Sequence, residues 1–184
     1  EIPTLHFDRH LYTPLVVYSE YKEYIKSIPA KLNKGETKFV KKLRNYVSNN
    51  SLKDKEIFLL RNPSISGISF FQTSGYYPDF IMWIKENNRQ YIIFIDPKGI
   101  RNLGNFNNEK IQLYKYLKEA QKSIKSKNKE RIILDSFILS VSKYNNIKGI
   151  FGEGNIPQEE FEENHILFLE DEYVIEKLFK AATV

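Results

Sequence analysis

The chain has no cysteine among its 184 residues. Disulfides and thiolate metal sites are excluded, and a cytoplasmic setting is the expectation. No apolar run approaches the roughly 20 residues needed to cross a bilayer. No signal peptide opens the chain, so no membrane partner is expected. Histidine is scarce: His6, His10 and His165 are scattered without metal-ligand spacing, and no Ser-His-Asp arrangement is supported. There is no Walker-type glycine loop. The chain starts at Glu1 rather than at a methionine, and the expectation is a piece of a larger protein.

What is present points to a folded domain that meets a polyanion. Twelve Tyr and 13 Phe argue against disorder, and the length suits one domain with a sizeable core. The net charge of +5 is unevenly spread. Residues 31–55 hold eight Lys/Arg against two acids, and residues 109–131 hold eight against three. From 153 onward the balance reverses, with nine acids and two bases. Two basic segments suit phosphate contacts and counterion release. Lysine-rich solvated helix faces explain the same pattern, so charge leaves both readings open.

Hydrophobic periodicity then sets out the elements. Residues 11–18 suggest a short strand or extended arm, and 19–28 a short helix that Pro29 follows. Residues 33–47 predict an amphipathic helix, with Phe39, Leu43 and Val47 recurring every four positions. Residues 56–61, 77–84 and 90–95 read as strands, the last two joined at Glu86-Asn87-Asn88 as a hairpin. Residues 108–127 predict a second amphipathic helix, with Ile111, Leu113, Leu117 and Ile124 apolar. Residues 131–142 predict a strand, 166–169 a short strand, and 171–181 a terminal helix. The glycine-bearing stretch 145–158 is expected to be an irregular surface loop. The order α-β-β-β-α-β implies an α/β fold, a central mixed sheet flanked by helices.

The chemistry-bearing residues lie in the hairpin. Asp79 opens one strand and Asp96 closes the next, 17 positions later. In an antiparallel pair the start of the first strand lies beside the end of the second, which brings the two carboxylates together. Asp96 and Lys98, two apart in extended backbone, share a face. Asp96 follows five apolar residues, a poor place for a carboxylate that only meets solvent. Two carboxylates and an ammonium are the set that phosphodiester hydrolysis needs. Mg²⁺ is held by one or two carboxylates together with phosphate and water. It activates a water and offsets developing charge. A lysine orients or deprotonates that water, or neutralises the phosphate.

Four segments together extend this to a family. Leu59-Leu60-Arg61-Asn62, Gly67-Ile68-Ser69-Phe70-Phe71, Tyr77-Pro78-Asp79-Phe80-Ile81-Met82-Trp83-Ile84 and Phe94-Ile95-Asp96-Pro97-Lys98-Gly99 resemble the C-terminal endonuclease domain of type III restriction enzymes and of related DEAD/DEAH-type helicase proteins. The resemblance covers about residues 36–99, weakens through the second helix and does not extend into the acidic tail. It implies a restriction-endonuclease-like PD-(D/E)xK core that cleaves double-stranded DNA with Mg²⁺, for which Mn²⁺ would substitute. It also implies a helicase/ATPase portion in the parent chain and a DNA methyltransferase subunit as partner. Within 1–184 the layout expected is an N-terminal extension over 1–32, a catalytic core over 33–142 and an acidic extension over 143–184.

The resemblance adds further site candidates. Asp79, Asp96 and the Pro97 carbonyl would hold the metal, with Lys98 as the catalytic lysine. Glu36 matches a further acid supplied by the preceding helix, with Glu20 and Glu23 as alternatives. Asn33 and Glu36 also have the spacing of a capping box, so both roles are open to Glu36. Arg61 and Asn62 close the first central strand, placed to contact phosphate, to brace the carboxylates or simply to begin a turn. Gln112 and Tyr116 form a Gln-x-x-x-Tyr pattern similar to one in RecB-like nucleases; two fixed positions are a weak signal, and an ordinary helix surface is the favoured reading. Two other functions share these residues: a catalytically silent DNA-binding or docking module, and a nuclease acting on RNA, single strands or branched DNA.

Overall fold

The computed structural model describes residues 4–5, 15–16, 31–50, 52, 54–63, 67–70, 75–123 and 131–183. Strands β1 (Thr4–Leu5) and β2 (Leu15–Val16) form a small antiparallel pair of their own. The helix expected over 19–28, with Glu20 and Glu23, lies outside the described residues, as does Ile124.

Helix α1 spans Lys34–Asn49 and starts where its sequence says it should. The Asn33 side chain accepts from the Glu36 N–H at 2.9 Å, and the Glu36 carboxylate accepts from the Asn33 N–H at 3.0 Å. This reciprocal box satisfies two N–H groups that a helix start otherwise leaves bare. Phe39, Val40 and Leu43 form its buried stripe.

The central sheet has five strands in the order β3-β4-β5-β6-β7. β3 (Lys55–Arg61), β4 (Phe80–Glu86) and β5 (Arg89–Lys98) are antiparallel neighbours. β6 (Arg131–Ser140) and β7 (Ile166–Phe168) extend the sheet in parallel. The β4–β5 turn is the pair Asn87-Asn88, and Asn87 takes the left-handed φ of 52° that asparagine tolerates better than most residues. Strand β5 runs three residues past the predicted end at Ile95. Its pairing with β4 ends at Ile95↔Phe80, but pairing with β6 continues to Lys98↔Ser140. Strand β4 starts at Phe80 rather than 77. The Pro78 and Asp79 carbonyls are taken by the side chain and the N–H of Asn62 instead of by a ladder, each at 2.8 Å.

Helices cover both faces of the sheet. On one face, α1 and α5 (Val174–Ala182) pack with Phe80, Met82, Ile84, Tyr91, Ile93 and Ile95. On the other, Leu113 and Leu117 of α2 (Glu109–Ser123) pack with Ile81, Phe94 and Leu134. A hairpin buried on both faces reads as continuous apolar sequence, which is why 91–95 shows no alternation. His165 pins α2 to β6: its ring stacks on Tyr114 at 3.9 Å and on Phe137 at 4.6 Å, and Nδ1 lies 2.9 Å from Asp135 Oδ1.

The stretch 145–158 differs from its expectation. It contains part of α3 (Tyr144–Ile147), and Ile147, Phe151 and Ile156 are buried with Phe161 of α4 (Gln158–Glu163) and with Ile166 and Phe168. Its glycines permit turns, with Gly152 and Gly154 at positive φ, but three apolar side chains carry the segment inward. Residues 143–183 supply an edge strand of the sheet and a helix of its main core. No helix among the described residues is long and apolar enough to cross a membrane.

Phe39 is fully buried and meets Phe80 edge to face at 5.2 Å. Phe39→Ala is expected to destabilise the chain by about 3–5 kcal/mol. Urea unfolding followed by the emission of the lone tryptophan, Trp83, measures it.

Candidate active site

Asp79, Asp96, Pro97 and Lys98 line one open cavity of about 820 Å³ at the end of the central strands. Asn33, Lys34 and Gly35 enter from the start of α1, and Glu109 and Lys110 from the start of α2. Gly35 approaches Val141 closely: a Cβ there would lie 2.5 Å from Val141 Cγ1, which would have to shift. The absence of that Cβ lets α1 seat its first turn against the chain just beyond β6.

Asp96 is only 3% exposed, so its charge needs partners. Both Lys98 Nζ and the Tyr76 hydroxyl engage its Oδ2. Asp96 and Lys98 extend beyond the last β4 pair on the same face of β5, as alternation requires. Pro97 between them fits that overhang. The Val141 N–H donates to the Lys98 carbonyl, which therefore points toward β6. Pro97, one residue earlier, points its carbonyl and its missing donor away from β6, where β4 has already ended. That carbonyl faces the cavity side, next to Gly35.

Asp79 stands beside Asp96. Burial, then the charge of Asp96 and a hydrogen bond to it, then the charge of Glu36 push the Asp79 carboxyl up to about 8, against an opposing pull from Lys98. Near neutral pH Asp79 therefore keeps its proton, hydrogen-bonded to Asp96. Burial, and after it the charge and hydrogen bond of Asp96, hold the Tyr76 phenol well above its ordinary range, so Tyr76 acts as a donor.

Glu36 does not line the cavity. Besides the two capping bonds, Oε1 accepts from Asn33 Nδ2 at 2.7 Å, and Oε2 lies 3.3 Å from Arg61 Nη2. The capping role and the Arg61 pair occupy the carboxylate, which acts on Asp79 through its charge. Arg61 thus braces an acid. Asn62 is buried and holds the loop before Asp79: Nδ2 donates to the Ile68 and Pro78 carbonyls at 2.8 Å each, and Oδ1 accepts from the Ile68 N–H at 2.8 Å. Neither Gln112 nor Tyr116 reaches the cavity. Gln112 Nε2 donates to the Phe106 carbonyl at 2.6 Å, and Tyr116 is 45% exposed on α2.

The sequence motifs passed over Tyr76 and Lys110. Tyr76 adjoins the Tyr77-Pro78-Asp79 segment, but its loop is rich in aromatics and none stands out. Lys110 is one of eight bases between 109 and 131, and only the start of α2 lies at the cavity.

The donor set is all oxygen: two carboxylates and one carbonyl. That matches Mg²⁺, which takes one or two carboxylates and keeps several waters. Among the described residues no group of three or more His, Asp or Glu is arranged to hold a metal. Glu36, expected as a further metal-binding acid, is instead engaged by Asn33 and Arg61 and does not line the cavity. Comparisons with protein-family models, curated proteins and solved structures find no match to this chain.

The Asp79 proton makes stability depend on pH. Below about 4 the carboxyl is protonated folded and unfolded. Between about 4 and about 8 the folded chain keeps a proton that the unfolded chain has lost, so stability falls as pH rises through that window. Urea midpoints measured from pH 4 to 9 are expected to show this decline in the wild-type chain and a flatter profile in Asp79→Asn.

Proposed function

We propose that this chain is a Mg²⁺-dependent nuclease domain of the restriction-endonuclease-like PD-(D/E)xK type, hydrolysing phosphodiester bonds of double-stranded DNA. The observation that carries the reading is the meeting of Asp79, Asp96, the Pro97 carbonyl and Lys98 in one cavity. The fold adds support, since a hairpin buried on both faces presents these groups at an open sheet end. Lys34, Lys98 and Lys110 around the same cavity suit a phosphate backbone.

Asp79 and Asp96, with the Pro97 carbonyl, would hold the cation. Bound there, Mg²⁺ lowers the pKa of a water and offsets charge on the phosphate. Asp79 must give up its proton for this, and a dication beside it favours that loss. Lys98, fixed on Asp96, is poised to orient the attacking water or to neutralise the phosphate oxygens. Glu36 and Arg61 act one layer back, setting the field around Asp79. The partners that accompany this reading are DNA, a helicase/ATPase portion of a longer chain and a DNA methyltransferase subunit; the accompanying location is cytoplasmic.

Supercoiled plasmid incubated with Mg²⁺ is expected to be nicked and linearised, and EDTA is expected to stop the reaction. Lys98→Ala should slow cleavage by about 10²-fold or more, and Asp96→Ala should abolish it. Cleavage at the wild-type rate in either variant overturns the proposal. A single-stranded substrate run alongside separates duplex from single-strand specificity.

A further inference from the structure

Tyr76 sits inside the candidate site, and the motifs that found the site leave it without a role. It is 8% exposed, and its ring packs in the core with Ile81, Phe94, Leu113 and Leu117 under α2. Its carbonyl is pinned by the Phe70 N–H at 3.0 Å. The side chain is thus anchored by packing, and its far end alone is polar. A phenylalanine would fill the same core, so packing does not call for the hydroxyl.

That hydroxyl donates to Asp96 Oδ2, the oxygen that Lys98 also engages. The ring carries two cations: Lys98 Nζ lies 4.7 Å from its centroid and Lys110 Nζ 5.4 Å. One side chain therefore touches a carboxylate of the site and two of the three lysines around the cavity. A carboxylate with one oxygen fixed by two donors loses the freedom to rotate, and its other oxygen is left to face a ligand. Outer partners of this kind orient metal-binding groups, and their loss typically weakens metal binding or activity 10–100-fold.

We propose that Tyr76 is a positioning residue of this site: its hydroxyl fixes Oδ2 of Asp96 so that Oδ1 is presented to a divalent cation beside Asp79, while its ring holds Lys98 and Lys110 at the cavity. This rests on the nuclease reading for the cation and the reaction, but its test stands apart from cleavage. The full chain and Tyr76→Phe are titrated with Mn²⁺ in a calorimeter, without DNA and well below either melting transition. Tyr76→Phe is expected to weaken Mn²⁺ binding about tenfold or more, with Trp83 emission and the thermal midpoint close to wild type because the ring remains. An affinity within twofold of wild type overturns the proposal, and so does a wild-type chain that binds no Mn²⁺.

Cleavage kinetics supply a second readout. At saturating Mn²⁺, Tyr76→Phe should lower kcat and leave KM for DNA within twofold, since the ring under Lys110 is kept. A raised KM with unchanged kcat overturns the positioning role. The two readings fail separately. Mn²⁺ binding that depends on Tyr76, with no cleavage of DNA, keeps the positioning role and removes the nuclease. Cleavage that depends on Lys98, with Mn²⁺ binding indifferent to Tyr76→Phe, does the reverse.

Discussion

A carboxylate buried at the end of an apolar strand organises this molecule. Asp96 follows Tyr91-Ile92-Ile93-Phe94-Ile95, a run enclosed by helices on both faces of the sheet. An unpaired charge in such a place costs several kcal/mol. Lys98 and Tyr76 both answer it, and each needs its own support. Lys98 reaches Asp96 because β6 keeps β5 extended three residues beyond the end of β4. Tyr76 reaches it because α2 and the Phe70 backbone hold its ring. Take away the parallel partner strand or the second helix, and the carboxylate has no reason to stay where it is.

The second acid turns this compensation into an imbalance. Asp79 is placed beside Asp96 by Asn62, which grips the backbone carbonyls on either side of the Asp79 Cα. Lys98 offsets only part of the repulsion, and Asp79 keeps its proton. Structural ion pairs end in neutrality with all partners used. This pair instead keeps a protonated acid beside a cavity, a buried carboxyl shifted far from its ordinary value at an open sheet end. The three lysines around the rim suit a phosphate in the same cavity.

Much of this was readable before any coordinates, for local reasons. The capping box at Asn33 and Glu36 is a spacing of three, and the structure contains both of its hydrogen bonds. The hairpin needs only a short polar turn between two apolar runs, and its antiparallel geometry brings Asp79 to Asp96. Other features depend on distant partners. Glu36 spends its charge on Arg61, 25 positions away in another element. Nothing within 145–158 reveals that Ile147, Phe151 and Ile156 have a core to enter, because that core is made with α4 and β7. The strand at 166–169 and the terminal helix are legible in the acidic tail, but composition does not show what they pack against. The tail's apolar residues Val174, Ile175, Leu178 and Phe179 complete the main core.

The sequence by itself determined the elements of the site hairpin, the adjacency of Asp79 and Asp96, and the shared face of Asp96 and Lys98. Each follows from backbone periodicity and one tight turn, interactions between residues close along the chain. The tertiary structure decided which other side chains join them. Tyr76 and Lys110 arrive with a loop and a helix that only packing orients, and Glu36 is drawn back by an arginine on a neighbouring strand. Those choices depend on contacts between segments far apart in sequence, where no spacing rule operates.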